Sequence, residues 1–162
     1  MPGEKSSTLL ILVVLVFAVS YLALFVIIPG MSRGQKPVLG PDQPVGAEHI
    51  QWIVDSLGTS QLRTSSITGN PPEIEMIVTP GDQFFTLTIR NGVAKVRPGL
   101  ADDPDIRMTG GRDVIAELLE TSDLAGTARR LSGEGRVQVD VLKDMEDIED
   151  MGYQALYQSL TS

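Results

Sequence analysis

The chain has 162 residues, room for one domain of ordinary size rather than two. Lys and Arg total 13 against 21 Asp and Glu, a formal net charge of −8. That balance excludes a sequence-independent nucleic-acid binder, because phosphate neutralisation needs a basic surface. Cysteine is absent and His49 is the one histidine, which excludes a disulfide framework, a thiolate nucleophile and a multi-histidine metal site.

After an eight-residue tail, Leu9 to Ile28 forms a run of 20 residues without a charge, broken in polarity by Ser20 and Tyr21. A bilayer core of about 30 Å needs about 20 apolar residues at 1.5 Å rise each, so the run predicts one transmembrane helix. A cleaved signal peptide has a shorter apolar region, about 7–15 residues, followed by small residues at the cut. Val26-Ile27-Ile28-Pro29 does not supply that site, and the run reads as a retained anchor. Arg33 and Lys36 follow it and Lys5 precedes it. Two basic side chains to one place the soluble domain on the cytoplasmic side by the positive-inside rule. The run holds no ionisable group and no small-residue pair for close helix packing, so it anchors and does no chemistry.

Residues 29–46 contain Pro29, Pro37, Pro41 and Pro44 interleaved with Gly30, Gly34, Gly40 and Gly46. This composition predicts a partly extended tether reaching up to about 50 Å. The remainder, residues 47–162, reads as one acidic α+β domain. From Val45 onward the chain keeps 19 of the 21 acids and 10 of the 13 bases. An anionic membrane repels that charge, so approach to lipid requires an apolar or locally basic face.

Ala47, Ile50, Ile53, Val54 and Leu57 recur at helical spacing before Gly58. Ile74, Met76 and Val78 alternate as a half-buried strand, and Pro80-Gly81-Asp82 turns the chain. Phe85, Leu87 and Ile89 alternate in a second strand. Asn91-Gly92 favours a two-residue hairpin with positive φ at both positions, and residues 93–97 return. Residues 74–97 therefore predict a three-stranded antiparallel meander. Asp105 to Thr109 is a fourth strand. Two short helices follow, marked by Val114, Ile115, Leu118 and Leu119 and then by Leu124, Ala128 and Leu131. Val137, Val139 and Val141 make a fifth strand, and residues 143–160 place Met145, Ile148 and Met151 on one face of a closing helix. The expected architecture is a five-stranded, mainly antiparallel sheet with helices on one face.

Chemistry-bearing patterns are few. Asp144, Glu146, Asp147, Glu149 and Asp150 read as a solvated acidic helix start, since calcium-loop spacing is missing. Asp102, Asp103 and Asp105 around Pro104 read as a turn marker. His49 reads as a satisfied surface or boundary histidine. Trp52 fits a membrane-interface anchor and a core edge equally. Gly110-Gly111 and Gly133-Glu134-Gly135 lack the lysine and spacing of a phosphate loop. The inventory predicts a non-catalytic protein without cofactor or metal.

The stretch from Phe85 to Leu142 resembles the sterol carrier protein type 2 family of lipid binders. The resemblance is carried by Phe85-Thr86-Leu87-Thr88-Ile89-Arg90-Asn91-Gly92, Val96 with Gly99, and Pro104-Asp105-Ile106-Arg107-Met108-Thr109. It continues through the two-helix segment from Arg112 to Leu131 and through Gly135-Arg136-Val137-Gln138-Val139. It implies a five-stranded sheet with an apolar tunnel beneath its helices, holding an acyl chain, sterol or isoprenoid. Carried over residue by residue, the tunnel wall comprises Phe85, Leu87, Ile89, Met108, Val137 and Val139, closed by Met145, Ile148 and Met151. The same residues equally form a filled core. A transmembrane anchor departs from the soluble carriers of that family.

Two functions follow. One is a non-catalytic, single-span accessory subunit of a membrane complex, its helix packed on a multispanning partner. The other is a membrane-anchored binder that presents a lipid, isoprenoid or quinone at the bilayer surface, for which a cavity of about 300 Å³ or more is expected.

Overall fold

A computed structural model describes residues 35–57 and 62–153. The anticipated membrane span and the last part of the closing helix lie outside the described residues. Among the described residues, no helix is long and apolar enough to cross a membrane.

Helix α1 (Ala47–Leu57) opens the domain, followed by strands β1 (Glu73–Thr79), β2 (Gln83–Arg90), β3 (Val93–Pro98) and β4 (Ile106–Gly111). Helices α2 (Arg112–Glu120) and α3 (Leu124–Gly133), strand β5 (Val137–Val141) and helix α4 (Met145–Asp150) complete it. The sheet order is β3-β2-β1-β4-β5. The β1–β4 pairing is parallel and the other three are antiparallel, so this is an α+β domain with a mixed, mainly antiparallel sheet.

The turns follow their residue chemistry. Asn91 and Gly92 both adopt positive φ, 53° and 74°, as the β2–β3 hairpin requires. Gly81 and Asp82, at φ 100° and 43°, reverse the chain between β1 and β2. The Asp123 side chain caps α3 by accepting from the Gly126 N–H at 2.9 Å.

Strand alternation sorts the two faces. Ile74 opposes Leu87 and Ile106, while Met76 opposes Phe85 and Met108, so all six side chains share one face. Helices α1, α2 and α3 cover that face. Their side chains Ile50, Val114 and Leu131 join Leu87 and Ile89 in one buried cluster. Gln51 of α1 fastens the β3 edge: its Oε1 accepts from the Val96 N–H at 2.8 Å and its Nε2 donates to the Ala94 carbonyl at 3.0 Å. At the other side, Arg136 pairs with Asp113 and Glu117 of α2, and Arg130 of α3 pairs with Glu117 and Glu134.

The opposite face is partly roofed by residues 99–105, which carry the chain from β3 back to the start of β4. The Thr86 hydroxyl donates to the Gly99 carbonyl at 2.9 Å, and the Ala101 N–H meets the Glu75 carboxylate at 3.4 Å. This cover explains why Glu75 and Thr86 are buried on a face without helices. Glu75 is matched there by Arg107, whose Nε donates at 2.6 Å.

Three features differ from the sequence reading. Residues 35–46 do not hang free. Val45 is buried, its N–H and carbonyl pair with the Gln83 side chain, and Leu39 packs on the core. Arg112 donates to the Gly40 and Gln43 carbonyls, and Lys36 donates to the Thr121 carbonyl at 3.4 Å. His49 is a buried rather than a boundary residue, 1% exposed. Its Nδ1 accepts from the Gly46 N–H at 2.9 Å while its own N–H returns to the Gly46 carbonyl, a reciprocal cap on α1. Finally, α4 ends at Asp150, and Gly152 at φ 90° interrupts any continuous helix from residue 143.

Candidate functional site

Two cavities lie on opposite sides of the sheet. The first occupies the space between the helix-covered face and α1, α2 and α3, with a volume of about 80 Å³. Ile50, Ile53 and Val54 line it from α1, Ile74, Met76 and Val78 from β1, and Val114, Ile115 and Leu118 from α2. Ala128 of α3 and Val137 of β5 close its far side. A cavity so lined stays dry, because no polar partners hold a water inside it. Met76 and Met108, adjacent across the β1–β4 ladder, both face it. Their flexible thioether chains are the most adaptable part of the wall.

Of the nine residues assigned to a tunnel wall, Leu87, Ile89, Met108 and Val137 line this cavity. Phe85 and Val139 share the same sheet face, opposite Met76 and Met108 respectively, but stand outside the lining. Met145, Ile148 and Met151 are not brought to it. Ile148 and Met151 are buried and Met145 half-buried, and α4 is tied to residues 65–67 instead. Asp150 makes that tie: it accepts from the Ser65 hydroxyl at 2.8 Å, the Ser66 hydroxyl at 2.6 Å, and the N–H groups of Ser66 and Ile67. These hydrogen bonds, those from Ser66 first, hold its carboxyl down at about 2. The acidic stretch thus contains one carboxylate with a defined structural partner rather than a uniformly solvated face.

The second cavity is polar, about 260 Å³, and sits at the end of the sheet where β1 and β4 begin. Glu73, Thr88 and Arg90 reach it from the face opposite the helices, Asp103 and Asp105 from the β3–β4 connection, and Lys143, Asp147 and Met151 from the chain around α4. Asp105 is 4% exposed, so it is part of the interior rather than a turn marker. Burial pushes its carboxyl up to about 6, against the opposing pull of the Glu73 N–H at 2.7 Å and of nearby Lys143. The buried Tyr153 hydroxyl donates to it at 3.3 Å. Burial and that carboxyl hold the phenol well above its ordinary range. Lys143 pairs with Asp103, which raises its ammonium pKa. Arg90 makes no ion pair among the described residues. The three aspartates around Pro104 are the sequence signal for this cavity, but the partners of Asp103 and Asp105 are Glu73, Lys143 and Tyr153, all at least 30 residues away.

Among the described residues no group of three His, Cys, Asp or Glu side chains converges as a metal site. No protein-family model and no curated protein matches the chain. Solved structures are similar to it at low identity. One is a ubiquinone synthesis protein, UbiJ-SCP2, 15% identical over 56% of this chain and 72% of that chain, with a TM-score of 0.37. Another is a double mutant of the sec-alkyl sulfatase PisA1, 18% identical over 74% of this chain and 16% of that chain, with a TM-score of 0.40. A third, the stereoselective inverting sec-alkylsulfatase Pisa1 from Pseudomonas sp., is 20% identical over 63% of this chain and 15% of that chain, at a TM-score of 0.34. The chain spans about a sixth of the sulfatase. At these identities and scores the likenesses assign neither a family nor an activity.

Proposed function

We propose that the domain is a non-catalytic binder of one apolar chain, fatty acyl or isoprenoid, held between the sheet and α1–α3 and anchored at a membrane by residues 9–28. The observation that carries this reading is the apolar cavity with Met76 and Met108 side by side in its wall. Its resting volume of about 80 Å³ is below the roughly 300 Å³ of ordinary ligand pockets, so binding requires the methionines to swing and the helices to part. The element order shared with the sterol carrier pattern supports the same reading.

The test is titration of the full-length protein in detergent with a fluorescent polyene fatty acid. Wild type is expected to show saturable binding. Met108→Trp, which fills the cavity, is expected to weaken it at least about tenfold while circular dichroism stays unchanged, the magnitude expected when a pocket contact is lost. Signal that rises linearly without saturation in wild type sinks the proposal.

The small volume favours a second reading, a filled core in an accessory subunit of a membrane complex. That reading expects other membrane proteins in fixed ratio on gentle extraction, with no apolar small molecule in the native mass spectrum.

A further inference from the structure

We propose that the side of the domain formed by residues 35–46 and α1 rests on the lipid surface of the membrane, through Lys36, Val38 and Trp52. The segment runs along one side of α1. The Lys36 ammonium lies 5.0 Å from the centre of the Trp52 ring, and the Val38 carbonyl accepts from His49 Nε2 at 3.4 Å. His49 and Trp52 are three residues apart and so neighbours on one helix face. Val38 itself is 82% exposed, the most exposed of the large hydrophobic side chains described. A cation over a half-buried aromatic ring, with a bare aliphatic side chain two residues along the same segment, makes the chemistry that settles at the boundary between head groups and acyl chains.

Chain length limits how far this patch can stand from lipid. Because residues 35–46 are packed onto the domain, only residues 29–34 separate the apolar run from the packed chain. Fully extended, the path from Ile28 to Gln35 is at most about 25 Å. Lys36 therefore stays within about 30 Å of the plane at which the apolar run leaves the bilayer, whereas the opposite side of a domain of this size can stand a full domain diameter farther off. Charge acts in the same sense. Residues 29–46 carry Arg33 and Lys36 against Asp42, whereas the rest of the domain is strongly acidic and is turned away from anionic lipid. The inference rests on the reading of residues 9–28 as a span and is independent of any ligand in the apolar cavity.

Trp52 is the single tryptophan of the chain and reports directly on this contact. The full-length protein is reconstituted into vesicles of phosphatidylcholine with one third phosphatidylglycerol, with and without bromine placed high on the acyl chains. Flotation is measured on the same samples. The expected result is a floating protein whose Trp52 emission is quenched by the brominated lipid. In Val38→Asp and Lys36→Glu the quenching drops at least twofold, although both variants still float. Unquenched Trp52 in a floating protein overturns the docking. Failure to float overturns the span on which it depends, and equal quenching in all three proteins overturns the assigned patch.

Discussion

The apolar and the polar cavity are set by different physics. On the helix-covered side, every strand contributes alternate aliphatic residues, and the space left between them is small, about 80 Å³. At the sheet end, loops and chain segments from four parts of the sequence meet around charged groups that cannot pack as closely, leaving about 260 Å³. Dispersion and water exclusion draw the first together. In the second, each carboxylate and cation must keep a partner or keep water, so the space stays open. The larger volume is therefore not the place where burial contributes most to stability.

Substitutions separate the two. Ile89→Ala, at a site with no exposure in the apolar wall, is expected to cost about 2–5 kcal/mol in denaturant unfolding. A loss below about 1 kcal/mol there would erase the distinction between the sides.

Acid titration probes the carboxylates held outside the apolar core and gives opposite slopes from two of them. Asp105 has a folded pKa of about 6 against an ordinary value of 3.8. Between those values the folded state holds a proton that the unfolded chain has released. Stability therefore falls as pH rises from about 4 to 6, with Tm dropping on the order of 5 °C. Asp150, held at about 2, works the other way: its contribution is present above about 4 and is lost as pH falls toward 2. Calorimetry across this range should show both slopes, the first vanishing in Asp105→Asn and the second in Asp150→Asn. A single slope common to both variants would mean that the two carboxylates do not differ in environment.

The smallest effect belongs to Arg90→Ala. An exposed guanidinium without an ion pair among the described residues contributes within about 0.5 kcal/mol, so Tm should barely move. A large loss would place Arg90 in a structural network.

What was legible in the sequence follows the same division. Period-two alternation at Ile74, Met76 and Val78, at Phe85, Leu87 and Ile89 and at Val137, Val139 and Val141 is a local signal, and it identified the strands. Asn91-Gly92 fixed the hairpin because few other dipeptides take positive φ twice. The helix-facing side of the sheet could thus be read from residue type alone. The polar cavity could not, because Asp105 takes its hydrogen bonds from Glu73 and Tyr153 and its charge environment from Lys143, each far away in the chain. The crossing of residues 99–105 over Glu75 was equally hidden, since a seven-residue connection with Pro104 reads as a turn wherever it travels. The packing of residues 35–46 is hidden in the sequence for a related reason. Proline and glycine forbid regular structure, but they do not prevent carbonyls such as those of Gly40 and Gln43 from docking on Arg112.

That docking has a mechanical consequence. A load applied through the N-terminal run acts on the packed segment from one end, so its attachments part in sequence: Lys36 first, then Val38 at His49, then Arg112, and last the Gln83 clasp on Val45. Each release is a small step, because each attachment is a separate contact. Once all four have parted, the twelve residues span at most about 40 Å end to end, and the load passes to α1.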